Sequence, residues 1–202
     1  KEVFPFTLPK GFDLDIDSFI EHTKSTGSDS ALLIRPNNPT GNYLSKSDLV
    51  YFLDHMRALN LVLVDESFLE FVDAEPDPSA LNLINEYPNL LVLKSLSKNY
   101  GIPGIRIGYA ATGNAGRLAA LREDLPIWSI NSFAQYFLEE MGDYLEEYAE
   151  SCRKVREAAR NLVQGLSEVP YLSPYPTQGN FVLCEILHGV TGQTVTERLF
   201  ED

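Results

Sequence analysis

Three polar clusters carry residue types that can do chemistry. Arg35-Pro36-Asn37-Asn38-Pro39-Thr40-Gly41 is a tight polar turn, Asp65-Glu66-Ser67-Phe68 offers carboxylates and a hydroxyl, and Ser95-Leu96-Ser97-Lys98-Asn99-Tyr100-Gly101 sets an amine among hydroxyls. Lys98 follows a pair of serines and precedes a glycine-containing loop, a place where its amine could reach a cleft. A lysine desolvated near other cations loses its proton more readily and becomes a nucleophile toward carbonyls. Asp65 could hold its carboxylate against a protonated heterocyclic nitrogen. Ser95, Ser97 and Arg106 could cradle a phosphate, the guanidinium offering a planar fork of donors.

The elements that must position these groups are legible in the hydrophobic pattern. Ala31-Leu32-Leu33-Ile34, Leu61-Val62-Leu63-Val64 and Leu90-Leu91-Val92-Leu93 are continuous apolar runs of four, which predicts strands buried on both faces of a parallel sheet. Between the first two, Ser45 with Asp48 three residues on makes a capping-box variant, and Leu49, Phe52, Leu53, Met56 and Leu59 mark one helical face. Strand, helix, strand is a βαβ unit with a right-handed crossover. Each polar cluster follows one of the three runs. In an open α/β sheet, ligands bind beyond the carboxyl ends of the strands. The three clusters therefore converge on one edge, and a Schiff-base lysine, a carboxylate for a pyridinium nitrogen and a phosphate clamp are what pyridoxal phosphate asks of a protein.

The rest of the chain predicts a fourth strand at 105–111, a helix near 115–123, one long helix over 132–166 and a strand over 180–186. Phe133, Phe137, Met141, Tyr144, Tyr148, Cys152 and Val155 return to one side of the long helix, and its acids form a solvated face. The segment 170–179 reads as turns. A helix opens near the end, with Thr194 as its cap. The fold class is α/β: a mostly parallel sheet with helices on both faces over 1–150, then the start of a smaller α/β unit over 151–202. A chain that begins in mid-strand and ends in mid-helix is expected to be a piece of a longer one.

The chain has 202 residues, 44% of them hydrophobic, enough for a real core. Its net charge of −13 argues against nucleic acid and anionic membrane surfaces as partners. No apolar run approaches the roughly 20 residues that span a bilayer. Two cysteines, Cys152 and Cys184, and the absence of an apolar leader point to a reducing, cytoplasmic setting. His22 and His188 fall in loop-like segments and His55 off its helix's apolar face; none has ligand spacing for a metal. Pro126-Ile127-Trp128 reads as a connecting segment engaged in packing or an interface.

The three clusters, in order and spacing, together with Ile102-Pro103-Gly104-Ile105-Arg106-Ile107-Gly108-Tyr109, resemble the fold-type I aminotransferases of class I/II. Within them the likeness is greatest to histidinol-phosphate aminotransferase and threonine-phosphate decarboxylase, over roughly residues 4–186. The resemblance implies pyridoxal 5′-phosphate as cofactor and amino-acid and oxo-acid substrates. It implies a homodimer, and a Schiff base on Lys98, which then moves the substrate proton. By the same token Asp65 holds the ring nitrogen protonated, Asn38 donates to the phenolic oxygen, and Ser95, Ser97 and Arg106 bind the phosphate. Transamination of an amino acid or amino-acid phosphate is the implied reaction. The alternatives are decarboxylation of a phosphorylated amino acid, or a catalytically incomplete fragment. Phe68 stands where many transaminases have a tyrosine, and the threonine-phosphate decarboxylases are similar in having phenylalanine there. The family's upstream glycine-rich turn, stacking aromatic and downstream carboxylate-binding arginine have no counterpart here. Plainer roles remain open for single residues: Lys98 as a surface lysine, Asp65 as a turn cap, Arg106 as the partner of an acid, and 37–41 as a turn alone. Lys94 is the competing lysine.

Overall fold

A computed structural model describes residues 2–187 and 189–201; His188 lies outside them. Helix α1 (Ile16–Ser25), which the apolar pattern does not announce, is capped by Asp15, whose carboxylate accepts from the amides of Asp17 and Ser18. It carries His22 in its last turn rather than in a loop. Strand β1 (Ser30–Ile34) follows, then α2 (Lys46–His55), β2 (Leu61–Asp65) and β3 (Leu90–Ser95). Ser45 caps α2 as expected, its Oγ accepting from the Asp48 amide at 3.1 Å. A single turn, α3 (Leu96–Asn99), leads through a left-handed residue at Arg106 into β4 (Gly108–Ala111).

The sheet runs β1-β2-β3-β4, the first three parallel and β4 antiparallel to β3. Register is tight: Ile34 lies beside Asp65, Asp65 beside Leu93, and Ser95 beside Gly108. One face is the core. Ala31, Leu33, Val62, Val64, Leu90 and Val92 pack there with Ile20 of α1 and Leu49, Phe52 and Leu53 of α2. Each fully buried Leu or Val there contributes on the order of 1.5–3 kcal/mol.

The expected two-sided burial fails at the outer strand. β1 alternates exposed and buried, with Leu32 58% and Ile34 36% exposed. The pleat turns residues 30, 32 and 34 away from α1 and α2. An unbroken apolar run records composition, and only its odd positions here find a covering helix.

Beyond β4, α4 (Ala115–Asp124) begins at an Asn114 cap. The single long helix expected over 132–166 is two: α5 (Ser132–Glu140) and α6 (Leu145–Ser167), separated by a 3-10 turn at Met141–Tyr144. The tighter turn shifts the helical phase. Phe133 and Tyr144, placed by spacing on the apolar side, are exposed, while Cys152 is buried. The acids of this region do stand mostly in solvent. α6 passes unbroken through 150–151.

A two-stranded antiparallel sheet pairs β5 (Leu172–Pro174), inside the segment read as turns, with β6 (Cys184–Ile186), shorter than the 180–186 expected. The last helix, α7 (Gly192–Leu199), is capped by Thr191 rather than Thr194: the Thr191 Oγ1 accepts from the Thr194 amide at 3.2 Å. Both cysteines are free thiols. No helix among the described residues is long and apolar enough to cross a membrane.

Candidate active site

The three polar clusters do fall at one edge of the sheet, at the carboxyl ends of three neighbouring strands. Asp65 is the last residue of β2 and Ser95 the last of β3. They are joined through a residue the sequence reading quoted without assigning it a role. The Asp65 Oδ1 accepts from the Ser67 amide at 2.9 Å and from the Ser67 Oγ at 2.5 Å, and that Oγ accepts from the Ser95 amide at 3.0 Å. Ser67 thus fixes the aspartate's rotamer and ties the two strand ends together. The second carboxylate oxygen makes no hydrogen bond among the described residues and is left to an incoming donor.

Ser95 caps α3, its Oγ accepting from the Ser97 amide at 3.3 Å. Ser97 is buried and Lys98 projects outward. No acid pairs with Lys98 among the described residues. Lys94, by contrast, is buried and ion-paired with Glu70, which removes it as a free amine. Arg106 sits at φ 59°, ψ 58°, a left-handed conformation costing a non-glycine residue about 1–2 kcal/mol. Its Nη1 donates to Pro103 O at 3.1 Å and it has no acidic partner among the described residues. It makes no hydrogen bond to Ser95 or Ser97, although the neighbouring Ile107 O accepts from the Leu96 amide at 3.1 Å. Two cations without an acidic partner among the described residues, with the hydroxyls of Ser95 and Ser97, in a chain of net charge −13, are a donor set suited to a phosphate and a carbonyl.

After β1 the turn closes on itself. The Asn37 amide donates to Asn42 O and the Gly41 amide to Asn37 O, each at 2.8 Å, and Asn37 Nδ2 donates to Thr40 Oγ1 at 2.8 Å. Asn37 therefore holds the turn, while the exposed Asn38 side chain has no partner among the described residues. Gly41 is required: at φ 78° an added Cβ would run into the side chain and backbone of Thr177. The β5–β6 loop rests here, with the Gln178 amide donating to Gly41 O at 2.9 Å. Phe181 meets Phe68 edge to face at 5.1 Å, and Phe68 is buried.

Beneath the edge lies an ion pair that the sequence reading missed. Arg35 and Glu66 are fully buried, Nη1 to Oε1 at 3.0 Å. Arg35 also donates to Leu44 O, Pro78 O and Tyr43 Oη; Glu66 also accepts from the Ala80 amide and Ser79 Oγ, both at 2.8 Å. Strand parity was the available signal: residues 31, 33 and 35, and 62, 64 and 66, share the core face. Burial, with Glu75 accepting its hydrogen bond, pushes the Tyr43 hydroxyl's pKa up.

The arrangement is that of an open α/β sheet that gathers a carboxylate, hydroxyls and an amine beyond the carboxyl ends of its parallel strands. Residues 2–202 match the profile of aminotransferase class I and II, and the chain belongs to that family. It is 31% identical over 88% of its length to an L-serine phosphate decarboxylase of Campylobacter jejuni, covering 47% of that protein. It is 35% identical over 84% of its length to the histidinol-phosphate aminotransferase of Bacillus pumilus, covering 45%. The solved structure of a decarboxylase from Sulfurospirillum multivorans superposes with a TM-score of 0.87 at 29% identity, over 96% of this chain and 56% of that one. The chain thus spans about half the length of these relatives. The family's cofactor is pyridoxal 5′-phosphate, and the groups at the sheet edge fit it: a free carboxylate oxygen on Asp65, the hydroxyls of Ser95 and Ser97, and the cations Lys98 and Arg106, which no acid pairs among the described residues.

Proposed function

We propose that this chain is the cofactor-binding part of a pyridoxal-phosphate-dependent transaminase acting on an amino acid or an amino-acid phosphate. The observation that carries the reading is the in-register ending of β1, β2 and β3 at the Asn38 turn, Asp65 and Ser95–Lys98. When bound, the cofactor supplies an electron sink for the pair left on the substrate α-carbon. Lys98 holds the cofactor covalently and then carries a proton to and from that carbon. Asp65, oriented by Ser67, keeps a proton on the ring nitrogen. Asn38 donates to the phenolic oxygen, and Ser95, Ser97 and Arg106 bind the phosphate. Residues 1–150 form the cofactor-binding unit and 151–202 the start of a smaller one, α6 running through the junction.

A second reading, decarboxylation of a phosphorylated amino acid, is favoured by Phe68. That ring is buried and has no hydroxyl to offer the phenolic oxygen, and relatives of this kind include a serine phosphate decarboxylase. In that reaction Lys98 delivers a proton to the carbon that has lost its carboxylate. The assembly in this reading is a homodimer in the cytoplasm. The supporting surface is apolar: Ile127, Trp128 and Phe133 are 96%, 92% and 82% exposed.

The chain given excess pyridoxal phosphate should show a visible absorbance band that borohydride abolishes and Lys98→Ala lacks. A wild-type chain without the band refutes cofactor binding by these residues. Product analysis, oxo acid against carbon dioxide, separates the two reactions.

A further inference from the structure

The turn that carries Lys98 is only four residues long and is held from outside. Asn99, the next residue, satisfies both ends of its amide at once. With the amide oriented so that oxygen meets donor and nitrogen meets acceptor, its Nδ2 donates to Leu96 O at 2.9 Å and to Ser95 O at 3.3 Å, and its Oδ1 accepts from Tyr148 Oη at 2.8 Å. The side chain of Asn99 therefore stitches the end of the turn to its beginning, and Tyr148 on α6 holds the stitch. The same Tyr148 ring stacks on Tyr100, centroids 4.2 Å apart and planes 19° from parallel. Tyr100 is braced in turn by Phe137 of α5 at 5.2 Å. One side chain thus grips both residues that follow Lys98, by a hydrogen bond and by a stack.

The helix grips the aspartate's segment as well. Arg156, two turns along α6, donates to Glu70 O at 3.0 Å, and Arg160 pairs with Asp73. Both acceptors lie in the chain that leaves β2 just after Asp65. Burial pushes the Tyr148 hydroxyl's pKa upward, with the charge of Glu70 adding to it, so the phenol stays a neutral donor.

We propose that Tyr148 is a positioning residue for Lys98, acting through Asn99 and Tyr100, and that α6 is the strut against which the lysine-bearing turn is set. This rests on the cofactor reading above and deepens it. Tyr148 touches neither the amine nor any reacting atom. Its work is to fix the direction in which the lysine leaves the turn, so that covalent attachment of the cofactor does not have to restrain a fraying single turn.

Two variants divide the grip. Tyr148→Phe keeps the stack and removes the hydrogen bond; Tyr148→Ala removes both. Amide hydrogen exchange on the cofactor-free chain reads the turn directly, through the Tyr100 and Ile102 amides that bond to Leu96 O and Ser97 O. Tyr148→Phe should accelerate exchange at these amides about three- to tenfold, the worth of one hydrogen bond, while the β3 amides stay at the wild-type rate. With pyridoxal phosphate added, the same variant should release cofactor faster by a similar factor and move the pH midpoint of the visible band. Tyr148→Ala should do more of each. Unchanged exchange at 100 and 102 in Tyr148→Phe, or acceleration spread equally over β3, overturns the proposal. So does a melting-temperature loss with unaltered cofactor release and band midpoint, since that marks packing alone. A wild-type chain that forms no band, or a Lys98→Ala chain that keeps one, refutes the cofactor reading instead, and the exchange result still decides whether Tyr148 sets the turn.

Discussion

Replacing Glu66 with alanine removes the only acid in direct ion-pair contact with the buried Arg35 among the described residues, leaving Glu75, which Arg35 reaches through Tyr43. The guanidinium keeps Leu44 O, Pro78 O and Tyr43 Oη as acceptors but loses its direct counter-charge, and the Ala80 amide loses its acceptor. Leaving one member of a buried pair uncompensated costs about 3–5 kcal/mol, a large share of a typical domain's stability of about 5–15 kcal/mol. For a chain of this length each kcal/mol moves the melting temperature by about 2–4 °C, so a fall of roughly 6–20 °C is expected. Thermal unfolding followed by circular dichroism, with urea titration as a check, measures it. The double variant Arg35→Met/Glu66→Leu should lose markedly less than the sum of its single changes, a coupling of about 2 kcal/mol or more. A Glu66→Ala chain melting within about 2 °C of wild type, or a strictly additive double variant, would refute the reasoning that the pair is dry and mutually dependent.

Three further outcomes are expected. Gly41→Ala should destabilise by about 1–3 kcal/mol, because positive φ and the clash with Thr177 act together; trimming Thr177 to glycine should return only the clash part, measured by urea unfolding. Arg106→Gly should leave folding within about 1 kcal/mol of wild type, relief of left-handed strain offsetting the added chain entropy. It should nonetheless weaken pyridoxal phosphate binding at least about tenfold for a lost charge-assisted hydrogen bond, read by titrating the visible band. Tyr87 is pushed up to about 12, by burial first and then by its hydrogen bond to Asp54. Its proton is held more tightly folded than unfolded, so the stability it contributes is complete below about 10 and is lost as pH rises toward 12. Near-ultraviolet absorbance should show Tyr87→Phe missing a late-titrating phenol, and that variant should lose less stability over this window.

The fold's skeleton was readable where burial and pattern coincide. Three apolar runs became β1, β2 and β3, and Ser45 capped α2, because hydrophobic composition and capping chemistry are local. The site edge was readable because Asp65 and Ser95 each follow directly on an apolar run, and in an open α/β sheet the carboxyl ends of such strands gather the ligand-facing groups. What escaped depends on partners distant in sequence. Arg35 and Glu66, just past their apolar runs, look like edge residues until strand parity turns them inward. Tyr148 looks like one more apolar position on a helix, and only the tertiary structure sets its hydroxyl against Asn99. The helix break at 141–144 and the short β6 depend on packing that a one-dimensional period does not record. α1 hides because only Ile20 and Thr23 are buried in ten largely polar residues.

Asp65 and Glu66 are consecutive, and the pleat sends one to the ligand edge and the other into the core. A one-residue slip of β2 would exchange them, burying the shorter carboxylate away from Arg35 and Ser79 and turning the longer one outward. The apolar residues of β2 would police such a slip weakly, since Leu61, Val62, Leu63 and Val64 are nearly interchangeable in either phase. The buried ion pair would not tolerate it. In the native register Arg35 and Glu66 meet, so the buried pair favours that register over a one-residue slip, and the outward face of Asp65 goes with the inward face of its neighbour.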